Sequence, residues 1–325
     1  MEKERCAGRA ALFIFRAGIH DLSQTKSGEA MKRKFAYHYH LMLLPAVAVL
    51  LLFSVYPLTG LMLAFQDFNP GKGIWGSDFI GLENFDYMFD IPDVRNIFVN
   101  TVSIAIMKIV FTQLFALLFA LMLNEVKNRL FKRSVQTIVY LPHFISWVLL
   151  GGIVIEILSL DGIVNAVLGS FGIDPIFFLG SNDWFPGIVV GSHVWQEFGF
   201  SAIIFLAALT GINPSLYEAA AIDGAGRFKQ LLHITLPGLM TTIILLLTLD
   251  LQNVLNAGFE QIFNLYNPMV YESGDIIDTY VYRSGLKELQ YELGTAVGLL
   301  KSVVSFVLIT VSYVLASRFA NYRIF

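Results

Sequence analysis

The chain contains a single cysteine, Cys6, and little charge: 14% of its 325 residues are Asp, Glu, Lys or Arg, against about 25% in a soluble globular domain. One thiol makes no internal disulfide and is too few for a cysteine metal site, so redox chemistry and zinc ribbons drop out. Scarce charge beside 56% hydrophobic residues argues against one water-facing globule and makes the bilayer the expected solvent. The formal net charge of −3 gives no sign of a nucleic-acid partner. The phosphate-binding pattern G-x-x-x-x-G-K-[ST] is also missing, because the Gly71-Lys72-Gly73 cluster is followed by neither Ser nor Thr. ATP hydrolysis is therefore not expected of this chain. The apolar patch around Leu12 is too short for a leader and lacks a small-residue cleavage site, so residues 1–36 read as a retained cytoplasmic tail. Arg9 and Arg16 flank that patch, which leaves a surface-lying helix or a disordered tail open.

What the chain has is long apolar runs. Six of them approach the roughly 20 residues that cross a hydrocarbon core: 41–65, 98–123, 135–160, 185–209, 236–256 and 295–317. They are continuously apolar rather than alternating, which predicts helices and not barrel strands. The expected fold is an all-α, six-span bundle over residues 37–325.

Orientation follows from Lys and Arg, which resist translocation. Eight precede the first run. Lys127, Arg129, Lys132 and Arg133 follow the second, Arg227 and Lys229 the fourth, and Arg318 and Arg323 close the sixth. The alternate loops are poor in basic residues and carry acids such as Asp86. Both termini are expected in the cytoplasm, and with them the loop 212–235 between the fourth and fifth runs.

That loop reads as a helix–turn–helix knob. Asn213 and Pro214 make a helix start. Glu218 to Ala221 continue a short helix with a bare face, and Gly224 supplies a left-handed exit. A second short helix from Arg227 leads to Pro237, expected to begin the fifth span. Leu216, Tyr217 and Phe228 are apolar anchors for another protein. The opposing reading is an ordinary polar spacer, but a spacer needs no ordered triplet, glycine and Leu-Pro at set intervals.

EAA, then Gly224, then Ile234-Thr235-Leu236-Pro237 resembles the signature cytoplasmic loop of permease subunits in binding-protein-dependent ABC importers. LPHFISW at 141–147, VWQEFGF at 194–200 and NAGFEQIFNL at 256–265 extend the likeness, most closely to the oligosaccharide branch of the maltose-type permeases. The long N-terminal tail departs from that pattern. The resemblance implies that the loop docks into a groove on an ATPase subunit, with Glu218, Ala219, Ala220, Asp223, Gly224 and Arg227 as the coupling residues. It implies a second, homologous permease, a cytoplasmic ATPase dimer that holds ATP and magnesium, an extracytoplasmic solute-binding protein and an oligosaccharide substrate. No cofactor is expected on this chain itself, whose other neighbour is membrane lipid.

Polar residues inside spans mark the expected substrate path, since each is costly in hydrocarbon unless it faces a cavity or a partner. They are Trp195 and Gln196 in the fourth run and Gln252, Asn253 and Asn256 closing the fifth, with Phe259 and Glu260 just beyond it. Amides and carboxylates bond hydroxyls and aromatic faces stack on sugar rings, while interhelical bonding is the competing account. Lys108 and Lys301 lie inside the second and sixth runs. Lys301 is near enough to the outer surface to snorkel, whereas Lys108 is deep enough to need a partner, an acid such as Glu156 or Asp250. Alternatively one or both make the path positive for an acidic saccharide such as a uronate oligomer, and the resemblance to polysaccharide importers makes alginate a candidate. His193 and Glu197 share a helix face but lack a third metal ligand, so a hydrogen-bonded pair is expected there. His38 and His40 read as interfacial anchors, and Pro142 as a kink in the third span. A gradient-driven secondary transporter is the alternative function, with Glu156 and Asp250 its candidate ion carriers. An intramembrane enzyme comes third.

Overall fold

The computed structural model describes residues 40–251 and 254–319. The expected tail over residues 1–36, His38, Gln252 and Asn253 lie outside the described residues. The chain divides at Leu61 into two compact units. Among the described residues, six helices are long and apolar enough to cross a membrane, as the hydropathy predicts.

Helix α1 (His40–Phe65) is the first of them, and Leu61 falls within it. In the second unit a small hairpin follows, β1 (Gln66–Asp67) pairing antiparallel with β2 (Asp78–Phe79). Asn84 ties it to the next helix, α2 (Glu83–Asp90), by donating to the carbonyls of Ala64 and Gln66 at 3.1 and 3.0 Å. Pro92, at the first position of α3 (Pro92–Glu125), needs no donor there, and 34 residues of helix follow. At 1.5 Å per residue that is about 50 Å, enough to cross a bilayer and project beyond it.

The third run departs from expectation. Residues 135–140 belong to α4 (Arg129–Tyr140), capped by Asn128, whose side chain accepts from the amides of Leu130 and Phe131. A 3-10 turn, Leu141–Phe144, and extended Ile145 and Ser146 separate α4 from α5 (Trp147–Leu158). Pro142 therefore interrupts the helix outright rather than kinking it, because its ring lacks a donor and crowds the preceding turn. With 12 residues α5 rises only about 18 Å, so flanking elements, including α6 (Ile163–Ser170), complete the apolar crossing.

Helix α7 (Phe185–Thr210) runs along α3. Ala116 and Ala120 of α3 and Ala202 of α7 are fully buried, and small residues of this kind let membrane helices approach closely. After the short α8 (Pro214–Ile222) comes the fifth apolar helix, α9 (Arg227–Leu251). Its start is earlier than expected. Residues Leu231–Thr235 form a π turn that runs straight into Leu236, so Pro237 lies inside a continuous helix. A widened turn relieves the clash that the proline ring would make with a regular one. α10 (Phe259–Leu265), two short helical turns (Tyr271–Gly274 and Ile277–Tyr280), a π segment (Val281–Lys287) and α11 (Tyr291–Phe319) are the last described elements. One core cluster includes Ile104, Phe185, Val189, Ile262, Ile276 and Val297; a second holds Ala116, Ala202, Phe205, Leu209 and Leu239.

Candidate coupling loop and solute path

At one end of α3 lies the knob. The Asn213 side chain accepts from the amide of Ser215 at 3.0 Å and opens α8. The helix closes on Gly224, whose φ of +75° only glycine adopts without strain. Two bonds finish this turn, from the amide of Ala225 to the carbonyl of Ala220 at 2.8 Å and from Gly224 to Ala221 at 3.1 Å, which is the Schellman closure. Glu218, Ala219, Asp223, Gly224 and Arg227 are all exposed, and Ala220 is half-buried. No residue of α8 is buried, so its outward surface is free for a partner.

Side-chain links hold the knob to the spans. The Tyr217 hydroxyl meets Thr235 Oγ1 at 2.9 Å, joining α8 to the π turn of α9. Arg227 reaches Glu125, the last residue of α3, at 3.4 Å, and both side chains are exposed. Tyr217, Phe228, Leu231 and Thr235 line a cleft of about 410 Å³ against Leu121 and Met122 of α3.

The candidate path lies elsewhere along α3. Lys108 is the seventeenth of that helix's 34 residues and is only 4% exposed. Its ammonium donates to the carbonyl of Ala257 and to Gln261 Oε1. The expected pairing with Glu156 or Asp250 is not made. Glu156 is exposed, and Asp250 accepts instead from Gln113 at 2.6 Å. Amides and unwound backbone satisfy Lys108 because the chain between α9 and α10 is not helical there. Gly258, at φ +95°, turns the chain into α10. Gln261 completes the lock by donating to the carbonyl of Val189 at 2.7 Å and to Ser192 Oγ at 2.8 Å, both on α7.

Lys301 converges on the same segment. It donates to Asn256 Oδ1 at 2.8 Å and to Asp278 at 2.6 Å, so it pairs with an acid rather than only snorkelling. Lys108, Asn256 and Lys301 are thus brought together around residues 256–261, beside Phe259, which is half-buried, and Glu260, which is exposed. Trp195 and Gln196 are not joined to that cluster. Trp195 lines an apolar groove of about 580 Å³ with Met107, Phe111 and Gly191. Gln196 is buried and donates to the carbonyl of Ile145, bracing the break before α5. Glu197 pairs with His143 at 2.9 Å rather than with His193, because the Pro142 turn delivers His143 to it and stacks that ring on Phe200. Among the described residues no cluster of His, Cys, Asp and Glu could hold a metal ion.

Sequence reasoning missed an aromatic wall beyond Gly258. Phe259 and Phe263, one turn apart on α10, stack with centroids 5.3 Å apart, and Tyr282 sits 5.6 and 5.0 Å from them. Lys287 lies over the Phe263 and Tyr282 rings at 5.7 and 5.4 Å. Next to it, Arg283 pairs with buried Asp275 at 2.6 Å and covers the Tyr271 ring at 4.2 Å. Burial, with Tyr271 alongside, pushes the Tyr266 phenol up to about 12, so that ring stays neutral. The four-residue spacing of Phe259 and Phe263 was the available signal; Tyr282 and Lys287 join them only through the fold.

Residues 113–321 match the family described as the inner membrane component of binding-protein-dependent transport systems. The chain is 40% identical over 296 residues to the polygalacturonan/rhamnogalacturonan transport system permease protein YteP of Bacillus subtilis (strain 168), covering 91% of each. It also resembles a chain in the crystal structure of a bacterial ABC transporter involved in import of the acidic polysaccharide alginate: 38% identity, TM-score 0.80, covering 88% of this chain and 97% of that one. A second alginate-transporter structure, in complex with a periplasmic protein bound to an alginate pentasaccharide, matches with 37% identity and TM-score 0.80, covering 90% and 98%. The chain is therefore a multi-pass membrane protein of the binding-protein-dependent permease family.

Proposed function

We propose that this permease passes an acidic, uronate-containing oligosaccharide from an extracytoplasmic binding protein into the cytoplasm, driven by ATP hydrolysed with magnesium in a separate ATPase dimer docked on α8. A second, homologous permease completes the pathway, and both termini face the cytoplasm. The observation that carries the reading is the break at 254–258 between α9 and α10, clamped by Lys108 from the middle of α3. Non-helical backbone at membrane depth is tolerated where it is buried in protein or lines a watery cavity. Here it turns the chain so that Phe259 and Glu260 follow at once, a ring and a hydroxyl acceptor suited to a sugar. The acidic character rests on similarity to a polygalacturonan permease and to the alginate importer. The exposed knob, fixed by its cap and its Gly224 turn, supports docking by α8.

The test is uptake by proteoliposomes holding the permease pair, the ATPase and the binding protein. Uptake of an oligogalacturonate or oligoalginate should require ATP, survive collapse of ion gradients and exceed that of a neutral oligosaccharide of equal length. Uptake that follows an ion gradient without ATP would instead support the secondary-transporter reading.

A further inference from the structure

We infer that Phe259, Phe263, Tyr282 and Lys287 form a uronate-binding subsite at the mouth of the path, beyond the Gly258 break; this rests on the reading that the cargo is an acidic oligosaccharide. The three rings are half-buried, so each keeps an open face or edge. Their centroids lie 5.0 to 5.6 Å from one another, so the rings pack together, and with Tyr282 tilted 59° and 79° to the other two they present an apolar corner rather than a flat patch. Lys287 is exposed and sits at the rim of that corner.

Charge sets Lys287 apart from its neighbours. Arg283 is neutralised by Asp275 and lies 4.0 Å from Glu288. Lys301 is neutralised by Asp278 at 2.6 Å, and Lys108 is sealed behind Ala257 and Gln261. Among the described residues no carboxylate pairs with Lys287, whose partners here are two aromatic rings. An ammonium over a ring retains its positive potential for an anion on its open side, since the ring quadrupole is a weak counter-charge. A uronate unit fits this arrangement: its C–H face lies on Phe263 or Tyr282 while its carboxylate reaches the Lys287 ammonium. Glu260, exposed on α10, is left to accept from sugar hydroxyls. The positive element for an acidic cargo is thus this rim lysine, not the two lysines inside the spans.

Equilibrium binding tests the subsite. The assembled permease–ATPase complex in nanodiscs, held with a non-hydrolysable ATP analogue, is titrated with a fluorescent oligogalacturonate and with its fully methyl-esterified form. Wild type should bind the acid more tightly than the ester. Lys287→Gln should weaken the acid about fivefold, the scale of one exposed ion pair, and leave the ester unchanged, while Lys287→Arg keeps the acid preference. Phe263→Leu should weaken both ligands alike. Acid affinity untouched by Lys287→Gln, or lowered equally for both ligands, overturns the subsite and leaves the acidic-cargo reading standing. A wild type that binds acid and ester equally, or neither, overturns both.

Discussion

Lys108 Nζ donates to the carbonyl of Ala257, so a lysine in the middle of one spanning helix holds the unwound backbone between α9 and the short α10. A buried charge needs its hydrogen bonds completed, and here the unwound chain supplies an acceptor that a regular helix would have used internally. Lysine and break therefore satisfy each other.

Lys108→Met should leave the Ala257 carbonyl and Gln261 Oε1 buried without a donor and cost about 2 kcal/mol. The expected readout is a lower thermal unfolding midpoint in detergent, with uptake of acidic and neutral oligosaccharides reduced alike. Loss confined to the acidic substrate would mean that Lys108 meets the cargo directly.

Gly224→Pro and Glu218→Lys act on the knob. The first cannot adopt φ +75°, and the second reverses an exposed charge on the docking surface. Both variants should insert normally yet lose transport and ATPase co-purification. Unchanged uptake in both would remove α8 as the docking element.

Tyr217→Phe deletes one hydroxyl and with it the 2.9 Å bond to Thr235. The fold should lose no more than about 1 kcal/mol, and the ATPase should still bind. Because that bond ties the knob to the π turn of α9, sugar moved per ATP hydrolysed should fall. An unaltered ratio would show that motion reaches α9 through the backbone alone.

Sidedness is checked by labelling. With Cys6 removed, cysteines placed at Asp86 and Asn128 should react with an impermeant thiol reagent from opposite faces of the membrane. Reaction of both from one face would contradict an α3 that crosses between them.

Gly199 packs where α7 crosses α4: a Cβ there would stand 2.4 Å from the carbonyl oxygen of Val139. Since backbone must yield, Gly199→Ala should destabilise by about 2 kcal/mol, visible as a lower unfolding midpoint. A neutral outcome would mean that α4 is free to shift.

Local chemistry made part of this protein legible in the sequence. The spans are a matter of hydropathy and length, and the knob is set by contacts within a few residues: Asn213 on Ser215, Ala225 on Ala220, Gly224 in its left-handed turn. Pro142 and Pro237 show the limit of such reading, since one ends a helix and the other is absorbed by a π turn, and the surrounding packing decides which. Only the tertiary structure could choose the partners of Lys108, Lys301 and Glu197. Gln261 lies 153 residues from Lys108 in the chain, and His143 lies 54 from Glu197. Hydropathy states that a buried charge must be satisfied, but not by what, because the acceptor is whichever group the packing of distant helices leaves without a bond of its own.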